Sequence, residues 1–288
     1  MRQLPVMSGK SKSLRDILRV SGGPVDLGAV DPASTPSAPG GKGRTVAATL
    51  EHGERLAALQ EALYAGGTAG DGARRVLLVL QGMDTCGKDG TVKHVIGMLN
   101  PQGCHIKAFK APTPEERRHH FLWRVRREVP APGHLGIFNR SHYEDVLIVR
   151  VHNLVPPQEW GKRYDEINRL ERQLAAEGVT IVKCFLHISE EEQRRRLRAR
   201  LEDPTKHWKF NPADLEERKL WPEYMQAYQI ALERCSAEHA PWHVVPADRK
   251  WYRNWAVAQL LDETLTELNP AYPSVDLDIP ALKAELRK

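Results

Sequence analysis

The stretch that decides the fold is Arg75-Val76-Leu77-Leu78-Val79-Leu80-Gln81-Gly82-Met83-Asp84-Thr85-Cys86-Gly87-Lys88. The apolar run over 74–80 predicts a buried parallel strand. The following segment has the spacing G-x-x-x-x-G-K, in which glycines let backbone N–H groups turn inward around an anion. Lys88 is the residue that reaches the phosphoryl groups in such a loop. The pattern therefore predicts a phosphate-binding loop and leaves open which phosphate it binds.

The predicted loop comprises Gly82, Met83, Asp84, Thr85, Cys86, Gly87, Lys88, Asp89 and Gly90. It departs from the usual pattern at Asp89, where a Ser or Thr normally binds Mg²⁺. Asp84 and Thr91 are the other oxygen ligands available nearby, so a metal would have to be held differently. A glycine-rich turn without a ligand is the less favoured alternative. For Cys86, a small residue in a tight turn is favoured over a reactive thiol.

Strands and helices alternate through the rest of the chain. Further strands are predicted at 104–109, 135–139, 179–187 and 242–246, and helices at 88–99, 114–128, 157–177, 190–201, 212–238 and 251–268. An earlier helix is expected to stop at Gly66-Gly67. This alternation predicts an α/β three-layer sandwich with a parallel sheet. We expect a partly extended N-terminal arm or linker at 1–45, partly mobile over 21–43, one domain at 46–270 and a tail at 271–288.

Composition excludes several classes of protein. Of the 288 residues 41% are hydrophobic and 27% charged, which excludes wholesale disorder. No stretch approaches the roughly 20 apolar residues of a membrane helix, and the N-terminus lacks the apolar segment of a secretion signal. The four cysteines have no paired or metal-like spacing. We therefore expect a cytoplasmic protein that does not contact a membrane.

A second polar segment follows the strand predicted at 135–139. Acidic residues at the end of a neighbouring strand hold the metal in phosphate-loop enzymes, but here that position is Asn139. Glu144 and Asp145 follow within two turns and could supply a carboxylate, or could simply be first-turn acids of a helix. Arg140 is placed to contact phosphate with its planar fork.

Basic residues are concentrated in two places, although the net charge is only +5. One includes Lys110 and Arg124, and the other is the run at 194–200, in which acids are scarce. Because a solvated helix face would need acidic partners, we predict a helical lid at about 194–212 that closes on phosphates. Nucleic acid is the rival polyanion, but aromatic residues are only 7% and no nucleic-acid-binding signature is present.

Four segments in this order resemble the polyphosphate kinase 2 family over roughly residues 45–270: the phosphate loop at 82–88, Phe138-Asn139-Arg140-Ser141-His142-Tyr143-Glu144-Asp145, Asp203-Pro204-Thr205-Lys206-His207-Trp208-Lys209, and Ala240-Pro241-Trp242 through Asp248. The resemblance implies a P-loop kinase-like fold, Mg²⁺ or Mn²⁺ as cofactor, and phosphoryl transfer between inorganic polyphosphate and nucleotides. The N-R-S-H-Y-E-D pattern is similar to that of members accepting both nucleoside monophosphates and diphosphates.

We therefore predict that the protein transfers the terminal phosphoryl group of polyphosphate to ADP or AMP, reversibly, with guanine nucleotides as further candidates. An ATP-dependent nucleotide kinase and a non-catalytic polyanion-binding module are the alternatives. The expected catalytic residues are Asp84, Lys88, Arg140, Arg196 and Arg200. The expected phosphate-binding residues are Lys110, Arg124, Arg140, Lys206 and Lys209, and the expected metal ligands are Asp84, Glu144 and Asp145.

The expected partners are polyphosphate, ADP, ATP and AMP, with no nucleic acid and no membrane. We also expect a homo-oligomer, either a dimer or a tetramer. Ile167, Leu170 and Leu174 form an apolar helical face. From the sequence, this face fits the core of the domain and a subunit interface equally well.

Overall fold

A computed structural model of the protein describes residues 12–70 and 74–287. The strands are β1 (Arg75–Gln81), β2 (Cys104–Ala108), β3 (Leu135–Asn139), β4 (Val179–His187) and β5 (Trp242–Pro246). The helices are α1 (Leu14–Leu18), α2 (Lys42–Thr68), α3 (Lys88–His94), α4 (Trp123–Arg126), α5 (Ile148–Val151), α6 (Pro157–Ala176), α7 (Glu190–Glu202), α8 (Ala213–Lys219), α9 (Trp221–Arg234), α10 (Lys250–Leu268) and α11 (Ile279–Glu285). Short 3-10 turns connect several of these elements.

The five strands form one parallel sheet in the order β2-β3-β1-β4-β5. The predicted α/β architecture with a parallel sheet is therefore confirmed. β1 lies in the centre and pairs with β3 in a register that sets Leu80 opposite Asn139. Because the strands are parallel, the loop after β1 and the polar segment after β3 emerge side by side. That edge is where ligands bind in open α/β sheets.

Helices cover both faces of the sheet. α10 packs against α2 and α3 and against β4 and β5, while α6 packs against β4. Ile167, Leu170 and Leu174 of α6 are buried in the hydrophobic core, which assigns this apolar face to the core of the domain. Within the described part of the chain, no helix combines the length and apolar character needed to cross a bilayer.

Three predicted helices differ from the structure. The helix predicted at 88–99 ends as α3 at His94, and a 3-10 turn at Ile96–Met98 follows it. The continuous helix predicted at 114–128 is wrong: the chain forms a 3-10 turn at Glu116–Arg118 and the single turn of α4. Leu122 and Val125 are buried three residues apart, as on one face of a helix, but the helix is only one turn long. The helix predicted at 212–238 divides into α8 and α9, because a proline at the start of α9 has no N–H to continue the preceding helix.

The predicted stop at Gly66-Gly67 is also wrong, because α2 continues to Thr68. Gly67 faces the turn before β3, and a Cβ atom on it would lie 2.4 Å from the Cα of Gly133. The glycine therefore allows α2 to contact another backbone, and it does not end the helix.

The chain from residue 12 to residue 41 lies against the domain. Leu14 and Leu18 of α1 are buried, and the Val20 N–H donates to the carbonyl of Trp242 at 2.8 Å. Further along, the Asp248 N–H donates to the carbonyl of Pro32 at 3.0 Å. These hydrogen bonds tie the predicted arm to β5 and to the loop that follows it.

Candidate active site

A cavity of about 700 Å³ opens at the carboxyl end of the sheet. It lies between the loop after β1, the end of β3, α7, the 3-10 segment Pro204–Lys209 and the first turn of α10. The predicted residues that line it are Asp84, Thr85, Gly87, Lys88, Asp89, Gly90, Lys110, Arg140, Arg196, Arg200, Lys206 and Lys209. The sequence motifs therefore converge on one strongly cationic cavity.

The predicted phosphate-binding loop contains three residues in left-handed backbone conformations. Gly82, Thr85 and Gly87 all have positive φ angles, of 148°, 65° and 110°. The side chain of Lys88 folds back into this loop, where its Nζ donates to the carbonyl of Gly82 at 2.6 Å and to that of Met83 at 3.3 Å. Lys88 is buried, and its Nζ contacts these two carbonyls and the Cys86 sulfur. This ammonium group is placed to exchange carbonyl contacts for phosphate oxygens.

Asp84 and Arg140 form an ion pair across the mouth of the loop, with 2.8 Å between Oδ1 and Nη2. Burial lowers the pKa of Arg140, but the carboxylates of Glu144 and Asp84 outweigh it and leave the pKa raised. Gln193 of α7 donates to the backbone carbonyl of Asp84 at 3.1 Å. Arg140 therefore stays charged, and the loop is joined both to β3 and to α7.

The two positions that depart from the usual phosphate-loop pattern contact each other. Asn139 Nδ2 donates to Asp89 Oδ1 at 2.7 Å. Asp89 occupies the position where Ser or Thr is usual, and Asn139 the position where an acid is usual. The carboxylate at this edge of the cavity therefore comes from the first turn of α3, and not from the end of β3, where an acid is usual.

Mg²⁺ is bound in kinases by one or two carboxylates together with substrate phosphates and water, seldom by a cage made only of protein groups. The described residues contain no cluster of three or more acidic, histidine or cysteine side chains that could form such a cage. Asp84 and Asp89 both line the cavity beside Lys88. This donor set fits a divalent cation shared with a phosphate chain.

Asp145 is not available for the metal role expected from the sequence. Its carboxylate is buried, 2.8 Å from Arg163 Nη1 and 3.9 Å from Arg124 Nη2. Burial raises the pKa of Asp145 to about 6, against the opposing effect of the two arginines. Glu144 does not line the cavity and accepts a hydrogen bond from Gln81 at 3.2 Å. We therefore do not retain Asp145 as a metal ligand.

Arg124 also differs from its expected role in binding phosphate. It is buried away from the cavity, donates to the carbonyl of Lys110 at 2.8 Å and lies over the ring of Phe109. Its effect on the cavity is indirect: it fixes the backbone of Lys110, whose own side chain is exposed at the rim.

The two predicted lid arginines have different environments. Arg196 is buried, and its five N–H groups all reach protein oxygens. The acceptors are Glu192 Oε1 and the carbonyls of Thr85, Cys86, Ala247 and Asp248. In this conformation Arg196 supports the loop from behind and does not present a donor to the cavity. Arg200 is partly exposed and donates to the carbonyl of Lys209 at 3.0 Å, which ties α7 to the predicted lid segment.

Three further residues line the cavity from the first turns of α10: Lys250, Arg253 and Asn254. None of these three was among the residues predicted for the site. Burial lowers the pKa of Lys250, and the nearby arginines 196, 253 and 195 add to this effect. They could have been predicted from the basic residues that directly follow β5, because the end of that strand faces the cavity.

A buried ionic network supports the segment that carries Arg140. Lys183, in the middle of β4, donates to Tyr143 Oη at 2.7 Å, to Glu171 Oε2 at 2.5 Å and to the carbonyl of Cys235 at 2.7 Å. The Tyr143 hydroxyl also donates to Glu171 Oε1 at 2.9 Å. All three ammonium protons thus have acceptors, as a fully buried lysine requires. His142 Nε2 lies 3.2 Å from Glu171 Oε1, so His142 and Tyr143 both belong to the network that supports the site.

Comparison with known proteins decides the family. The family model described as Polyphosphate kinase 2 matches residues 42–272. The chain belongs to the polyphosphate kinase 2 family. Its similarity to the AMP/ADP-polyphosphate phosphotransferase of Meiothermus ruber is 51% identity over 87% of this chain and 92% of that protein. The ADP-polyphosphate phosphotransferase of Rhodopseudomonas palustris is 46% identical over 81% of this chain and 82% of the relative.

The crystal structure of Polyphosphate Kinase 2 from Arthrobacter aurescens TC1 superposes with a TM-score of 0.92. The two chains are 50% identical, and the match covers 96% of this chain and 97% of the other. The polyphosphate kinase 2 fold thus extends over nearly the whole protein, including most of the predicted arm and tail.

Proposed function

We propose that this protein transfers the terminal phosphoryl group of inorganic polyphosphate to ADP and to AMP, reversibly, with guanine nucleotides as further acceptors. The observation that carries the proposal is the cationic cavity in which the phosphate-binding loop, Arg140 and the lysines of the predicted lid face one another. A donor with a charge on every phosphate unit needs several cations in its binding site, as this cavity provides. The names of the two bacterial relatives support the same donor and acceptors.

In the proposed reaction an oxygen of the acceptor's terminal phosphate attacks the last phosphorus of polyphosphate. The P–O bond to the next phosphate breaks, and the bridging oxygen leaves with a polyphosphate shorter by one unit. Lys88 and Arg140 hold the transferred group, and Asp84 orients Arg140 at 2.8 Å. Asp84 and Asp89 would hold Mg²⁺ or Mn²⁺, which would supply positive charge to neutralise the phosphates. Catalysis then consists of positioning and charge neutralisation.

The test is ATP formation by purified protein from ADP, Mg²⁺ and long-chain polyphosphate, with no other donor. We expect ATP from the wild type and none above background from Lys88→Ala. ADP formed from AMP in a parallel reaction extends the acceptors to monophosphates. Lys219→Ala is the matched control, because this exposed lysine pairs with Glu216 and does not line the cavity. Nucleotide phosphorylation that requires ATP as donor would overturn the proposed donor, and absence of any turnover would overturn the enzyme assignment.

We also propose that the enzyme works in the cytoplasm as a homo-oligomer, either a dimer or a tetramer. All four cysteines are free, which suits a reducing compartment. The C-terminal segment exposes apolar side chains, among them Val275 and Leu277, at 70% and 53% of their full area. Light scattering coupled to size exclusion tests the oligomer, and a monomeric mass at micromolar concentration would contradict it.

A further inference from the structure

Arg253 lies directly behind the phosphate-binding loop. The residue belongs to α10, is 3% exposed and lines the cavity. Its guanidinium occupies the space next to two loop glycines: a Cβ on Gly87 would lie 1.7 Å from Nη1, and one on Gly90 would lie 2.8 Å from Nη2. The absence of side chains at these glycines is thus what allows Arg253 to reach the loop.

The charge of Arg253 has no carboxylate partner among residues 12–70 and 74–287. Nε and Nη2 donate to Asn254 Oδ1 at 3.2 and 2.7 Å, and Nη1 donates to the carbonyl of Cys86 at 3.2 Å. These three bonds use three of the five guanidinium protons, so one proton on each Nη remains for another acceptor. Arg196, which donates to the same Cys86 carbonyl, differs because Glu192 neutralises it and all its protons are used.

A buried cation without a counter-charge is costly, and a fold retains one where a ligand supplies the missing anion. Burial lowers the pKa of Arg253 to about 10, and the adjacent Arg196 contributes to this effect. The charged form is therefore destabilised by its surroundings, although it still predominates at neutral pH. Any anion that enters the loop removes this penalty and gains a correspondingly larger interaction energy.

We propose that Arg253 binds the phosphate held in the loop, with Asn254 orienting its planar fork from the side and the loop glycines allowing its approach. The ligand class is a phosphoryl anion, which either the nucleotide or polyphosphate can supply. This inference rests on the proposed function, because it assumes that the loop holds phosphate. It adds a buried cation from the last long helix to the cations predicted from the sequence motifs.

The alternative is that Arg253 only ties α10 to the loop. The two roles predict opposite effects of Arg253→Met on the free protein. Removing a purely structural tie lowers the unfolding temperature of the free protein. If Arg253 instead binds phosphate, the substitution removes an uncompensated charge, and the unfolding temperature stays the same or rises.

The experiment measures thermal unfolding of the full chain without ligand and with ADP or tripolyphosphate, each added alone. Both ligands should raise the unfolding temperature of the wild type and of Arg249→Met. Arg249 is the matched control, because it lies one turn earlier and outside the cavity. For Arg253→Met we expect an unchanged or higher unfolding temperature without ligand. Its ligand binding should be about tenfold to hundredfold weaker, because one charged hydrogen-bonding partner is lost. Arg253→Lys, which keeps the charge, should bind with intermediate affinity.

The two ligands identify the source of the phosphate. If Arg253→Met weakens only the binding of ADP, Arg253 contacts the nucleotide. If it weakens only the binding of tripolyphosphate, Arg253 contacts the donor. Wild-type affinity for both ligands in Arg253→Met and in Arg253→Lys would overturn the inference. A lower unfolding temperature without ligand, combined with an undiminished ligand-induced rise, would establish the structural role instead. If neither ligand stabilises the wild type, the proposed phosphate site itself fails.

Discussion

Arg140 Nη2 donates to Asp84 Oδ1 at 2.8 Å, and this bond joins the end of β3 to the phosphate-binding loop. Arg140 adopts a φ angle of 61°, a left-handed conformation that is unfavourable for a side chain of this type. The two side chains are 38% and 30% exposed, so the ion pair itself contributes little to stability. Backbone strain held at such a position is characteristic of functional sites.

We therefore predict that Arg140→Ala lowers kcat with little effect on folding. The arginine supplies charge to the transferred phosphoryl group, and removing one such donor costs about 10²–10³ in kcat. Steady-state ATP formation with saturating ADP and polyphosphate measures the effect, and calorimetry should show a small change in the unfolding temperature. Arg194→Ala is the control, because Arg194 forms an exposed ion pair with Glu191. A large loss of stability with unchanged kcat would contradict this role.

The two adjacent glycines of α2 should respond in opposite ways to alanine. Gly66→Ala should stabilise the protein by about 0.5–1 kcal/mol, because alanine favours the helix and the added Cβ meets its nearest atom, the carbonyl oxygen of Ala271, only at 3.6 Å. Gly67→Ala should destabilise it by about 1–3 kcal/mol, because its Cβ would lie 2.4 Å from the Cα of Gly133. Urea unfolding measures both changes, and stabilisation by both substitutions would contradict the observed helix contact.

Gly66 and Gly67 show that a sequence pattern does not reveal contacts between residues far apart in the chain. Local patterns were sufficient for the five strands, because an apolar run acts over a few residues. Gly67 looked like a helix stop because its partner, Gly133, lies 66 residues later in the chain. The ion pair of Asp145 could not be predicted for the same reason, because its partner Arg163 lies on another helix. Arg253 was missed because its isolation from carboxylates is a property of three-dimensional packing.

Stability should depend on the protonation of His243 in β5. Its Nδ1–H donates to the carbonyl of Lys183 at 3.2 Å, and burial, with added repulsion from Arg15 and Arg19, lowers its pKa to about 4. Below pH 6.5 the unfolded chain binds this proton more readily than the folded chain does. The contribution of neutral His243 to the free energy of unfolding is therefore fully present above pH 6.5 and is lost as the pH falls toward 4. The full loss attributable to His243 is about 3 kcal/mol.

His243→Asn tests this dependence, because its amide preserves a donor near the position of Nδ1. Urea unfolding at several pH values between 7.5 and 5 should give a shallower pH dependence for this variant than for the wild type. Asp145 has a raised pKa and changes stability in the opposite direction, but it is present in both proteins and cancels in the difference. A stability difference that stays constant over this pH range would exclude His243 as the cause.

The affinity for polyphosphate should fall more steeply with salt than the affinity for ADP, because a longer chain of charges displaces more counterions. By analogy with nucleic acids, each phosphate contact contributes about 0.7–0.9 to the slope of log affinity against log salt. Lys209 lines the cavity, so Lys209→Gln should reduce the slope for polyphosphate by about that amount. KM values for both substrates across a KCl series measure the slopes, with Lys219→Gln as the control outside the cavity. Equal slopes for the two substrates would mean that polyphosphate engages no more cations than the nucleotide does, which would contradict this prediction.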